Sequence, residues 1–419
     1  MYIHKNNSSR KISTRIDDPL LAKARDKSLI FEILDLIEDV RKDKGKAILR
    51  YYLEKKIDRK NIFVSQEEVR AAVKRVGKEN LSVMHNFTLR STEVGNTQKK
   101  FVIDEEIIQK TGGFNALLSY RPLNCVGIYI PRNLPSSLIY YCELAKRAGV
   151  KDILLALPPE KDGFVNPVLL AAANTVGVDK ILAVGGLRAF ATLAFGVGFD
   201  LVPDKIFGPS SFYVDLVKQI LNTFYKIPID LSSGPTEIAV FIDYLDGVDQ
   251  AVADLFAQLE HGSDSRFLVL TTNKQIYEQL NQKLAILSYE NSEIVLAAGI
   301  QESFDAINTF SPEILEVFSE KKDLILPYIK NASNVYFNTS SPLGDYLVAG
   351  KGCADPTFGM SKGNSGITIR SFLKTMCITT TNEGDLDKDQ VETAKNIAHM
   401  EGFNNHKKAI EKYELWKNQ

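Results

Sequence analysis

From about residue 18 to 90, apolar side chains recur every three or four positions, as in DPLLAKARDKSLIFEILDLIEDVRKDKGKAILRYYLEKK. That period predicts amphipathic helices, two of them interrupted by Gly45. Residues 98 to 130 change to strand character and end in NCVGIYIP, a short apolar run stopped by Pro131. The period then alternates. SSLIYYCELAKRAGV reads as a helix with a glycine stop, DILLALPP as a buried strand and NPVLLAAANTVGV as a helix; KILAVGG is again a strand and LRAFATLAFGVG a helix. A second series runs TEIAVFID, GVDQAVADLFAQLEHG and RFLVLTT. Strand and helix alternating at this spacing predict βαβ units and parallel sheets. The expected class is α/β, with two Rossmann-like lobes, helices at the N-terminal side and a polar, helical tail after residue 384.

A chain of 419 residues with 44% hydrophobic and 25% charged positions fits a globular protein of two or three compact lobes. Lys and Arg total 51 against 52 Asp and Glu, so the charge balance gives no general argument for nucleic acid or an anionic membrane as partner. Cys125, Cys142, Cys353 and Cys377 are widely spaced with no CxxC pair, a pattern of reduced thiols. The polar start MYIHKNNSSRKISTR has no apolar signal core, and no uncharged apolar run reaches the roughly 18 residues a bilayer needs. A cytoplasmic location is expected.

The stretch QLEHGSDS carries the first candidate chemistry. In a helix ending at Gly262, Gln258 and His261 leave the same face one turn apart. Such a pair is either half of a metal site or an amide and an imidazole on a wet surface. SPLGDY places Asp345 in a turn ahead of the glycine-rich AGKGCADPTFGMSKGNSG, and MEGFNNH offers Glu401 and His406. Gly185-Gly186 in AVGGLRAF lacks the third glycine and the acidic partner of a dinucleotide fingerprint, and by itself reads as a tight strand-to-helix turn. Ser311-Pro312-Glu313 reads as a helix start with an acid favoured in the first turn.

Along the chain stand GIYIP, AVGG, DKIFGP, LSSGPTEIAV, DLFAQLEHGSDS, FSPEILEV, PLGDY, SGITIRSFLK and EGFNNH. This order, from about Val40 to His406, resembles the histidinol dehydrogenase family. The resemblance implies a zinc enzyme that oxidises an amino alcohol to an amino acid in two NAD-dependent steps. It also implies a homodimer with shared sites, two incomplete Rossmann-like lobes and a tail crossing to the partner subunit. Zinc, one ion per subunit, would fall to Gln258, His261 and Asp345, with His406 from the second subunit. Glu313 takes the catalytic role; Thr236, Glu401 and Cys353 fall at substrate positions, and Tyr129, Arg188 and Ser211 at nucleotide positions. Laid along the chain, the expected parts are an N-terminal segment 1–22, a first lobe with its helical part from 23–120 and 238–380, a second lobe 121–237, and a tail 381–419.

The departures bear on function. Ile314 stands where the family has a histidine base, and Cys353 where it has a second histidine. Arg188 replaces a glutamine and Ser211 an asparagine, while PRNLPSS is a shortened loop with Arg132-Asn133 in place of two glycines. An arginine there favours an extra phosphate or an acidic substrate, or else serves a surface salt bridge. The expected activity is zinc-dependent, NAD- or NADP-linked oxidation of a small alcohol or aldehyde other than histidinol, an anionic one being a fit for Arg132 or Arg188. The alternative is a zinc-dependent hydrolase or lyase on the same scaffold. A non-catalytic zinc-stabilised dimer is the third reading.

Overall fold

The computed structural model describes residues 25–100, 102, 105–111, 114–131, 133–209, 212–231, 234–285, 292–347, 355–381 and 387–417. Helix α1 (Lys27–Asp43) begins where the Asp26 carboxylate accepts the Ser28 N–H at 2.9 Å, and it closes with Arg41 and Lys42 in its last turn. Lys44, at φ 52°, turns the chain into α2 (Gly45–Glu54). Ile33, Ile37, Val40, Ala47, Ile48 and Tyr52 form the buried stripes of the two helices. Then α3 (Gln66–Lys99) runs long, kinked where Gly77 takes φ 80°.

Two compact units divide the chain: residues 1–97 with 123–372, and residues 98–122 with 373–419. The second holds strands β1 (Glu105–Thr111) and β2 (Phe114–Pro122). The first holds two parallel sheets. One is built from β3 (Cys125–Tyr129), α4 (Pro135–Ala148), β4 (Asp152–Ala156), α5 (Pro167–Thr175), β5 (Ile181–Leu182), α6 (Gly186–Ala194), β6 (Lys205–Phe207) and α7 (Phe212–Tyr225). Its strand order is β5-β4-β3-β6.

The larger sheet follows from β7 (Glu237–Ile242), α8 (Val248–Leu259), β8 (Arg266–Thr271), α9 (Lys274–Leu284), β9 (Glu293–Leu296), α10 (Ile300–Phe310), β10 (Ile314–Phe318), α11 (Lys322–Ile325) and β11 (Asn334–Phe337). Its order is β11-β10-β7-β8-β9. In each sheet the first strand in sequence lies between the second and the fourth, the doubly wound pattern whose reversal point lies between first and fourth strands. Both are α/β lobes, as expected. Buried on both faces, β7 and β10 are nearly continuous apolar runs.

The expected boundaries differ from the observed units. Residues 98–120 and 373–380, assigned by sequence to the larger lobe, instead form with the tail an antiparallel sheet of order β1-β2-β12, where β12 is Leu373–Thr381. Its register runs from Leu373 opposite Pro122 to Thr381 opposite Phe114. Partners some 250 residues apart leave no periodic trace of which sheet they join. Helix α12 (Ser341–Leu347) precedes β12, and α13 (Lys388–Met400) and α14 (Asn404–Lys417) complete the second unit. Lys395 pairs with Glu414 at 2.7 Å, and Phe114 stacks on Tyr413. Among the described residues no helix is long and apolar enough to cross a membrane.

Candidate active site

The candidate residues gather at the amino-terminal edge of the larger sheet. Helix α8 buries Val248, Ala251, Asp254, Leu255, Gln258 and Leu259, so its apolar stripe carries Asp254 and Gln258 inward. The helix ends at Leu259, earlier than expected, and His261 lies in the turn beyond, its N–H bonded to the Gln258 carbonyl at 3.3 Å. Gln258 Nε2 donates to Ser341 Oγ at 3.0 Å. Ser341 opens α12, and one turn along the same face lies Asp345, which is therefore helical rather than in a turn. Tyr336 of β11 donates its hydroxyl to Asp345.

Glu313 does not start a helix. Ser311 ends α10 with φ 54°, and Glu313 leads directly into β10. The Glu313 carboxylate accepts the Glu237 N–H at 3.4 Å, and the preceding Thr236 joins its Oγ1 to His261 Nδ1 at 3.0 Å. Hydrogen bonds thus link Gln258 to Ser341, Glu313 to the Glu237 N–H and the adjacent Thr236 to His261, and the charge of Asp345 acts on Glu313.

Burial first, then the charge of Asp355, and after these the charges of Glu237 and Asp345, hold the Glu313 carboxyl well above its usual range. The Glu237 N–H opposes them. Asp355 is itself fixed by Ser333 and by Asn334 Nδ2 at 2.7 Å. His261 keeps much of its surface open, yet the packed atoms beside it push its pKa below the ordinary histidine value, against the pull of Glu260. When Nδ1–H donates to Thr236, Nε2 keeps its lone pair, the form in which imidazole binds a metal. Gln258 is 4% exposed, and its Oε1 has no hydrogen-bond partner. A buried carbonyl oxygen left without a donor, beside a neutral imidazole and a carboxylate, suits a divalent cation. Among the described residues, no three or more His, Cys, Asp or Glu cluster as a metal cage by themselves.

Behind this edge, Glu316 sits fully buried in β10 and accepts the Ser341 N–H at 2.8 Å. Burial first, then the charge of Asp254, pushes its carboxyl up to about 8. Raised above its unfolded value, this group stabilises the fold fully at pH below about 4.5 and loses that contribution as pH rises through about 8. Glu316→Gln is therefore expected to melt increasingly above the wild type as pH climbs from 5 to 9. Melting curves across that range check it; a constant difference rejects a neutral Glu316.

A second constellation lies at the carboxyl edge of the smaller sheet, at its reversal point between β3 and β6. The Tyr129 hydroxyl accepts the Gly186 N–H at 3.3 Å at the start of α6. Gly208, just past β6, lies against the Tyr129 carbonyl so closely that a Cβ would come within 2.3 Å of that oxygen. Gly185 packs as tightly on Pro158, whereas a Cβ at Gly186 would meet nothing within 4 Å, so the space before the helix is open. Arg188 stacks its guanidinium on Tyr51 at 4.0 Å, a cation–π contact. The equivalent edge of the larger sheet is closed by its own polar groups: Asp243 takes Ser319 and Lys321 at 3.0 Å each, and Asn338 bonds the Ser319 backbone in both directions.

The family model for histidinol dehydrogenase matches residues 22–413. The chain belongs to the histidinol dehydrogenase family. A Thermococcus kodakarensis protein named histidinol dehydrogenase is 32% identical over 384 residues, covering 90% of this chain and 97% of its own. One from Clostridium acetobutylicum is 32% identical over 394 residues and 90% of each chain. The crystal structure of histidinol dehydrogenase from Elizabethkingia anophelis superposes with a TM-score of 0.82 at 28% identity, covering 92% of each chain. The protein is thus an enzyme of an oxidoreductase family.

Of the positions that the histidinol dehydrogenase resemblance assigned, the structure gathers Thr236, Gln258, His261, Glu313 and Asp345 at one edge, and Tyr129 with Arg188 at the other. Glu401 and His406 lie in the second unit, both exposed, with His406 against Phe403. Arg132, Ser211 and Cys353 fall outside the described residues. Asp254, Ser341, Tyr336 and Asp355 were missed. Asp254 and Glu316 had a signal: each is an acid at the centre of an apolar stripe or run, in AVADLFAQL and EILEVF.

Proposed function

We propose that this enzyme is a zinc-dependent, NAD- or NADP-linked oxidoreductase acting on a small alcohol or aldehyde other than histidinol. The observation that carries the reading is Glu313, a buried carboxyl of raised pKa bonded to the Glu237 N–H, at the sheet edge that also holds the orphaned Gln258 oxygen. A carboxyl held above its ordinary range takes up a proton more readily than a free carboxylate, as a base in alcohol oxidation must. Gln258, His261 and Asp345, with His406 of a second subunit, would hold the zinc. Bound zinc would supply Lewis acidity toward a substrate oxygen. Tyr129, the open glycine turn at Gly185-Gly186 and Arg188 support a dinucleotide at the smaller lobe's carboxyl edge.

Ile314 argues against histidinol. Its side chain is 2% exposed in the apolar cluster of Ile238, Val240, Leu255 and Leu259, where nothing transfers a proton. Histidinol is the second reading, favoured by the names of relatives at 32% identity. Reduction of NAD and NADP, followed optically with L-histidinol and a panel of neutral and anionic alcohols, separates the two. Efficient histidinol oxidation overturns the first reading; no reduction with any alcohol, but zinc-dependent hydrolysis or elimination, overturns both.

The shared site requires a homodimer. Light scattering at low micromolar concentration is expected to give twice the 46.8 kDa chain mass. A monomer with full metal content rejects this.

A further inference from the structure

We propose that Ser341, Glu316 and Asp254 are positioning residues that lock the Gln258 side-chain amide in one orientation, with its nitrogen toward Ser341 and its oxygen presented to the metal. The inference rests on the zinc reading above and adds residues that the reading does not use.

An amide in a pocket can turn over, exchanging its donor and acceptor ends, unless its neighbour is polarised. A serine hydroxyl alone does not choose, because it both donates and accepts. Here the choice is made one residue further on. Ser341 directs both its backbone N–H, at 2.8 Å, and its hydroxyl to the Glu316 carboxyl. With its own proton committed there, Ser341 Oγ has only lone pairs left for Gln258, and takes Nε2–H at 3.0 Å.

Glu316 is polarised in turn. Its Oε2 and Asp254 Oδ2 are both buried without a donor, and the two side chains lie close enough to interact. One proton shared between the two carboxyls satisfies both oxygens. Asp254 Oδ1 is anchored by Gln250 Nε2 at 2.9 Å and Ser340 Oγ at 2.7 Å, which leaves Oδ2 to face Glu316. The chain runs one way, from Gln258 through Ser341 and Glu316 to Asp254. Once that proton is placed, Gln258 Oε1 is the cluster's remaining oxygen without a partner.

The test measures zinc affinity by chelator competition on the metal-stripped full-length protein, beside its melting temperature without metal. Ser341→Ala removes the acceptor and is expected to weaken zinc by about 10- to 100-fold, the usual scale for an outer-shell change. Glu316→Leu depolarises Ser341 and is expected to weaken it similarly. Glu316→Gln is the deciding variant: its amide oxygen accepts from Ser341 and its N–H replaces the acid proton toward Asp254, so wild-type affinity is expected. Wild-type affinity in Ser341→Ala overturns the proposal, as does a loss in Glu316→Gln equal to that in Glu316→Leu with the melting temperature kept. A wild type that takes up no zinc overturns the zinc reading itself, an outcome distinct from both.

Discussion

Glu313→Gln is expected to lower turnover by roughly 10² or more, the scale of lost general-base catalysis, while metal content stays at the wild-type level. The substitution keeps size and an acceptor oxygen for the Glu237 N–H, so the backbone entering β10 is not disturbed. What disappears is a proton-holding group whose raised pKa comes from burial and from Asp355. Steady-state rates with the substrate found active, paired with elemental analysis, measure the effect. A variant within a few-fold of wild type would remove Glu313 from the chemistry. Ile314→His is not expected to raise histidinol oxidation, since it buries an imidazole among Ile238, Val240 and Leu255 at a cost of about 1–3 kcal/mol unless a partner is found.

His261→Ala is the second large expectation. Zinc affinity should fall by more than the roughly 10- to 100-fold that outer-shell changes cost, because a ligand atom itself is removed. Thr236 would then face a void where Nδ1 had been held at 3.0 Å. His406→Ala should act alike, although His406 is exposed and belongs to the second unit of its own chain. Equilibrium dialysis followed by elemental analysis decides; full occupancy in either variant excludes that histidine as a ligand.

The alternation of strand and helix made the two parallel lobes legible, because each βαβ unit is local and its period survives in a single segment. Gln258 and His261 were legible as a close pair, although the helix stops between them and the geometry is that of a turn. Glu313 was misplaced because Ser-Pro-Glu suits a helix start, whereas the β-branched and apolar ILEVF and its pairing with β7 and β11 made the segment a strand. The antiparallel sheet was missed since its strands meet only through distant pairing. No local pattern joins Ser341 to Glu316 or Asp345 to Tyr336; those contacts exist only once α12 is docked.

The larger lobe keeps its candidate chemistry on the amino edge and seals the opposite edge with its own polar groups. For protein engineering this divides the lobe into a working rim and a spare one. The connections at residues 271–273 and 297–299 follow β8 and β9 on the spare rim. A fluorescent reporter or affinity handle grafted there would hang from strand ends that point away from Glu313 and Gln258, so the labelled enzyme would signal occupancy without crowding the reacting molecule.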